Sequence, residues 1–145
     1  MKLLYTVCIA IYAALIRLVA PFNKKARLWC DGRKGMVERM AKVIGDTDDV
    51  VWIHVSSLGD FEQGRPLVDY VKRSYPNYKI LLTFFSPAGY EVRKSYPNAD
   101  YVFYIPVDTP SKVRRFLDVA HPKVAIFVKY EFWLNMLSEL RRRNI

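Results

Sequence analysis

Three carboxylates, Asp60, Asp108 and Glu131, each closely follow a short apolar run of this sequence. Two Ser/Gly turns, at residues 56–59 and 86–89, follow apolar runs in the same way. A turn of this kind at a helix N-terminus presents free backbone N–H groups, which bind phosphate or another anion. Carboxylates beside such turns predict a polar site, and the pattern by itself leaves the reaction open.

The elements that must position these residues are strands that alternate with helices. Apolar runs predict strands at residues 50–55, 79–85, 101–105 and 124–128. Helical spacing predicts helices at about residues 60–74 and 131–143, another from 110 to 120, and a short one that ends near residue 96. This alternation predicts an α/β fold with a Rossmann-like parallel sheet. Ligands bind beyond the carboxyl ends of the strands in such sheets, so the polar loops should meet at one edge.

Each of these polar residues also has a structural interpretation. Asp60 and Glu131 are predicted in first helical turns, where a carboxylate stabilises the helix dipole. Asp108 could do no more than shape a turn, and Ser56 and Ser57 could only cap a helix. The structural interpretation is favoured for any one of them alone, whereas their joint placement favours a site.

Several other chemistries lack their sequence signatures. The chain has no GxGxxG or Walker motif for nucleotides and no GxSxG nucleophile elbow. His54, inside a predicted strand, is interpreted as a hydrogen-bonded core residue, and His121 as a surface residue. Cys8 and Cys30 have no partners at ligand spacing, so we predict two reduced thiols and neither a zinc site nor a disulfide.

The positive charge is concentrated at the N-terminus. Residues 1–45 hold 9 Lys/Arg against 2 Asp/Glu, whereas residues 46–145 hold 14 against 12. This distribution favours attraction to an anionic membrane over binding of nucleic acid.

The first 22 residues are predicted to be a membrane anchor. Residues 3–16 carry no charge, and the apolar stretch continues past Arg17 to Ala20, close to the length of a full span. Basic residues follow directly, which places the rest of the protein on the cytoplasmic face of the inner membrane. We favour an uncleaved signal anchor or a monotopic segment over a cleaved signal peptide or a buried helix.

Residues 23–48 are predicted to be a basic, helical connecting segment, and residues 49–145 a partial Rossmann-like domain. Within the connecting segment, apolar residues recur at helical spacing between Met36 and Ile44. Two interpretations remain open for this helix: packing on the domain, or contact with lipid headgroups.

Four segments in this order resemble bacterial Kdo transferases, which use 3-deoxy-D-manno-octulosonic acid (Kdo). The first is 52–66, similar to the family's His-x-x-Ser-x-Gly-Glu-Phe-Glu segment, and the others are 80–90, 104–109 and 127–133. The resemblance implies a GT-B architecture with two Rossmann-like domains. It also implies inverting, metal-independent transfer of Kdo from CMP-Kdo to a lipid A precursor in lipopolysaccharide biosynthesis, with no cofactor.

The same resemblance implies roles for individual residues. Asp60 occupies the position of the family's general base, a Glu, and Glu131 is the second acidic residue. We expect substrate contacts from the two Ser/Gly turns and the fourth loop, at Ser57, Gly59, Ser86, Gly89 and Lys129.

Two departures from the family pattern qualify these expectations. Asp60 is one methylene shorter than the usual Glu, and a misplacement of about 1 Å can cost on the order of 10²-fold in rate. The donor domain is expected to be missing from this chain, which would then be inactive alone. The alternatives are another GT-B glycosyltransferase with a lipid-linked acceptor and a membrane-tethered lipid-sugar binding module without catalysis.

Overall fold

A computed structural model describes residues 2–145 of the chain. The helices are α1 (Lys2–Val19), α2 (Lys24–Arg33), α3 (Met36–Ala41), α4 (Leu58–Ser74), α5 (Pro87–Arg93), α6 (Pro110–Ala120) and α7 (Leu134–Arg142). The strands are β1 (Val50–Val55), β2 (Lys79–Phe84), β3 (Tyr101–Tyr104) and β4 (Val124–Phe127).

The four strands form one parallel sheet in the order β3-β2-β1-β4, which confirms the predicted α/β fold. Every residue of the central strand β1 is buried, because helices cover both faces of the sheet. Alternate residues of β1 belong to two separate apolar clusters, with Trp52 in one and Ile53 in the other. The carboxyl ends of β1, β2 and β4 therefore lie side by side.

The helix predicted at residues 131–143 begins three residues later, at Leu134. Lys129 adopts a left-handed backbone conformation with φ 69°, and Trp133 is the extended N-cap. The prediction that Glu131 lies in a first helical turn is therefore wrong. It lies in a loop, residues 128–133, between β4 and α7.

Helix α3 packs on the domain, one of the two interpretations left open by the sequence. Met36, Met40 and Ile44 are all buried in the core cluster that includes Phe116 of α6. The apolar spacing of this segment is thus explained by the protein core.

Helix α1 lies lengthwise along the body of the protein. The Tyr5 hydroxyl donates a hydrogen bond to Asp108 at 2.6 Å, and further along the helix Ala13 is buried beside Trp29 and Val107. The opposite face exposes a stripe of large apolar side chains: Leu3, Leu4, Val7, Ile11, Leu15, Leu18 and Val19. By length and composition this helix is able to cross a membrane.

Candidate functional site

Asp60 lies in the first turn of α4, where it forms a capping box with Ser57. Its Oδ2 atom accepts hydrogen bonds from the Ser57 N–H at 3.1 Å and from the Ser57 hydroxyl at 2.6 Å. The hydroxyl oxygen in turn accepts from the Asp60 N–H at 3.2 Å. This reciprocal arrangement holds the carboxylate rigidly just beyond the end of β1.

Lys129, beyond the end of β4, forms an ion pair with Asp60, at 3.0 Å between Nζ and Oδ1. Its left-handed backbone is uncommon for a residue with a side chain, and such conformations cluster at functional sites. Gly64 of α4 allows the close approach, since a Cβ atom there would lie 3.0 Å from Val128. The structure thus brings together two residues that are far apart in sequence.

The protonation state of Asp60 follows from these contacts. The hydrogen bond from Ser57 lowers the pKa of Asp60 below its usual value, and Lys129 lowers it further, against a smaller opposing effect of burial. Asp60 is therefore ionised at neutral pH and has a free lone pair for a proton. A substrate group that displaced Lys129 would raise this pKa and make the carboxylate a stronger base.

Glu131 faces a buried hydrogen-bonded network that starts in the core. The Trp52 indole N–H donates to the Thr83 hydroxyl at 2.8 Å, and that hydroxyl lies 2.9 Å from His54 Nδ1. Burial lowers the pKa of His54 to about 3, so the ring is neutral. Its Nε2 atom lies 3.8 Å from Glu131 Oε2 and has no hydrogen-bond partner within residues 2–145.

This geometry confirms that His54 is a hydrogen-bonded core residue. It also connects the core to Glu131 through His54, a connection that sequence reasoning missed. His54 Nδ1 also lies 3.1 Å from the Thr83 carbonyl oxygen, which can only accept a hydrogen bond, so Nδ1 carries the proton of the neutral ring. In this tautomer the Nε2 atom keeps a lone pair on the side of the ring that faces Glu131. The sequence does contain one indication of this connection: side chains of β1 alternate between the two faces of the sheet, so Trp52 and His54 lie on the same face.

The two Ser/Gly turns have a structural role: they join β1 to β2 and allow α5 to pack closely. The Ser86 N–H donates to the Ser56 carbonyl at 2.8 Å, which ties the ends of β1 and β2 together. A Cβ atom at Gly89 would lie 2.6 Å from the Phe84 ring, so this glycine is required for close packing of α5. Gly59, by contrast, is exposed beside open space, which leaves room for a ligand.

Asp108 does not lie at the site, contrary to the predicted convergence of three carboxylates. It is 2% exposed and accepts hydrogen bonds from the backbone N–H groups of Asn135 and Met136, besides the Tyr5 hydroxyl. Asp108 therefore caps α7 and fastens α1 to it. The sequence could not reveal this because the partners are more than 25 residues away.

An apolar groove of about 660 Å³ runs beside the site, and sequence reasoning did not find it. Its apolar walls come from α1 and α2 and include Leu15, Ile16, Ala26 and Trp29. Its polar end is formed by Ser56, Ser57 and Ser86 at the strand ends. Within residues 2–145, no group of three or more His, Cys, Asp or Glu side chains is arranged to hold a metal ion.

The profile of a family described as 3-deoxy-D-manno-octulosonic-acid transferase (kdotransferase) matches residues 31–145. The chain belongs to the Kdo transferase family. Its parallel sheet is the one expected for the N-terminal domain of a GT-B member of this family.

Individual relatives agree with the Kdo transferase match. A 3-deoxy-D-manno-octulosonic acid transferase of Haemophilus influenzae is 33% identical over 96 residues, which is 66% of this chain and 22% of the relative. The corresponding protein of Aquifex aeolicus is 35% identical over 88 residues, 60% of this chain and 24% of the relative. A bifunctional glycosyltransferase/methyltransferase of Fusobacterium nucleatum is 31% identical over 114 residues, 74% of this chain and 17% of the relative. The chain thus matches less than a quarter of the length of these relatives.

Proposed function

We propose that this chain forms the acceptor side of a glycosyltransferase that transfers Kdo from CMP-Kdo to a lipid A precursor. The observation that carries the proposal is the position of Ser57, which lines the apolar groove and also hydrogen-bonds Asp60. A lipid-linked sugar requires both features, an apolar surface for its acyl chains and a base beside its reacting hydroxyl. Membership of the Kdo transferase family supports the same reaction class.

In the proposed reaction, Asp60 accepts the proton of an acceptor hydroxyl as that oxygen forms a bond to the anomeric carbon of Kdo. The bond from this carbon to the phosphate oxygen of CMP breaks, and CMP leaves with the bonding electrons. Attack opposite the leaving group inverts the configuration, and the proposed step uses no metal ion or cofactor. The hydroxyl takes the place of Lys129 at Asp60 Oδ1, which frees the ammonium group for a negatively charged part of the substrate.

Other residues at the carboxyl ends of the strands bind and orient the substrate in this proposal. Ser86 contributes a polar group at the groove and the exposed Gly59 lies two residues beyond Ser57, whereas Gly89 acts through packing of α5. Glu131, whose side chain is 15% exposed, contacts the acceptor from the loop at residues 128–133. The neutral ring of His54 lies beside the Glu131 carboxylate, at 3.8 Å between Nε2 and Oε2.

We propose that α1 holds the protein at the cytoplasmic face of the inner membrane by lying in the membrane plane. Tyr5, near its start, and Ile16, near its end, both contact the body, so a crossing of the bilayer would draw the body into the lipid. The exposed apolar stripe matches the buried face of an interfacial helix. The groove then opens beside the lipid from which the acceptor comes.

Substitution of Ile11 and Leu15 by Glu in one variant is expected to lower binding to neutral phosphatidylcholine vesicles by more than about 10-fold. Both side chains are more than half exposed, and transfer of each into lipid contributes about 1.5–3 kcal/mol. Vesicle flotation measures the effect. The matched control is Val43→Glu with Val92→Glu, similarly exposed apolar residues elsewhere on the surface. An equal loss of binding in the control would contradict the role of α1.

The complete gene product, supplied with CMP-Kdo and a lipid A precursor, is expected to release CMP and form a Kdo-bearing lipid of matching amount. CMP is measured by chromatography and the lipid by mass spectrometry. Absence of both products from an enzyme that binds the acceptor would contradict transfer and indicate a binding module. Transfer to a different lipid-linked sugar alone would indicate another GT-B activity.

A further inference from the structure

A second, cationic pocket of about 290 Å³ lies next to the apolar groove, with Trp29 in the lining of both. Its lining brings together Arg17 at the end of α1, Arg33 and Lys34 at the end of α2, and Lys112 in the first turn of α6. Asp31 is the single acidic residue that lines it. Four cations against one carboxylate make the pocket strongly positive.

Arg33 is the most enclosed of these cations. Its guanidinium lies over the rings of Trp29, Phe85 and Tyr104 at 4.1–5.1 Å from their centroids. Three of its N–H groups donate to backbone carbonyls of Trp29, Phe85 and Ile105. A guanidinium has five N–H donors, so two remain without an acceptor among the described residues.

The four cations also lack acidic partners. Among residues 2–145, no carboxylate oxygen lies within 4.0 Å of a side-chain nitrogen of Arg17, Arg33, Lys34 or Lys112, although eleven ion pairs form elsewhere. Burial lowers the pKa of Lys112, and the positive charges of Arg17 and Arg33 lower it further. Mutual repulsion of this kind is relieved when an anion binds between the cations.

We propose that this pocket binds the phosphate group of an anionic membrane lipid. Arg17 directly precedes the exposed apolar residues Leu18 and Val19, so a lipid seated along α1 would bring its headgroup to the pocket. Arginine and lysine together suit phosphate, through directed N–H groups and a point charge. The proposal rests on the in-plane position of α1 proposed above and does not depend on the transfer reaction.

The test compares two double variants of the complete gene product that remove the same charge. Arg17→Gln with Lys112→Gln alters the pocket and spares Arg33, whose carbonyl contacts support the fold. Arg73→Gln with Lys123→Gln alters the opposite edge of the sheet, near the end of α4 and the start of β4. Flotation is measured with phosphatidylcholine vesicles, with and without phosphatidylglycerol, and with phosphatidylcholine vesicles that carry a phosphorylated disaccharide lipid.

The pocket variant is expected to lose about 10-fold or more of the extra binding that an anionic lipid, either phosphatidylglycerol or the phosphorylated disaccharide lipid, confers, whereas the control keeps most of it. Both should bind neutral vesicles equally, because the exposed apolar stripe of α1 is unchanged in both; loss there would point instead to a failure of the membrane-binding proposal. A pocket-dependent gain with phosphatidylglycerol identifies a bulk phospholipid headgroup. A gain confined to the disaccharide lipid identifies the phosphate of the acceptor.

Inorganic phosphate, exchanged for chloride at constant ionic strength, should compete with the vesicles that contain an anionic lipid for the unaltered protein. It should have little effect on the pocket variant. Equal losses in the two double variants, or absence of competition by phosphate, would overturn the proposal and leave only diffuse attraction of a basic protein to an anionic surface.

Discussion

Asp60→Asn should reduce Kdo transfer by about 10²–10⁴-fold, the usual contribution of a positioned general base. The amide is nearly the same size as the carboxylate and can still accept a hydrogen bond from Ser57, so the first turn of α4 should persist. It cannot take the proton of the acceptor hydroxyl. The measurement is the rate of CMP release with saturating CMP-Kdo and lipid acceptor.

A matched control is Asp118→Asn, which makes the same chemical change at an exposed carboxylate paired with Arg143 on the far side of α6. This variant should transfer Kdo at nearly the normal rate, since an exposed ion pair contributes only about 0–1 kcal/mol to stability. Near-normal transfer by a folded Asp60→Asn variant would exclude Asp60 as the base. Asp60→Glu, which restores the residue type of the family, should keep far more activity than Asp60→Asn.

Asp108→Ala should destabilise the protein by at least about 3 kcal/mol. The change removes a buried carboxylate that accepts three hydrogen bonds, and it leaves two backbone N–H groups of α7 without a cap. Each hydrogen bond to a charged group contributes about 1.5–3 kcal/mol. Urea unfolding followed by circular dichroism would give the change in the free energy of unfolding.

Tyr5→Phe serves as the graded comparison for Asp108→Ala. It removes only the hydroxyl that bonds Asp108 and should cost about 1.5 kcal/mol, the lower end of that range, because Tyr5 is only partly buried. A loss for Asp108→Ala no larger than that for Tyr5→Phe would mean that the cap of α7 contributes little to stability.

The parts of this fold that the sequence predicts well depend on local pattern. The apolar run at residues 50–55 predicts a buried strand, and the structure contains it with the same limits. A capping role is one of the two interpretations of Ser57, and Ser57 does cap α4, where Asp60 three residues later completes a capping box. These features need no knowledge of distant residues.

The parts that the sequence does not predict depend on distant partners. Glu131 precedes a segment with helical spacing, yet the helix begins only at Leu134, where the distant Asp108 caps its first turn. Asp108 resembles a loop residue by pattern, and only the packing of α7 shows that it is a buried cap. The ion pair between Lys129 and Asp60 likewise depends on the close approach that Gly64 permits.

The contact between Tyr5 and Asp108 has a practical consequence for anyone who prepares this protein. An apolar N-terminal helix is routinely deleted to obtain a water-soluble fragment. Deletion here would remove a hydrogen bond to a buried carboxylate and would uncover the rings of Trp29 and Phe85 that pack on α1. After truncation, a loss of membrane binding could not be distinguished from a failure to fold. Substitutions on the exposed apolar stripe of α1 separate the two effects, because they leave its contacts with the body of the protein intact.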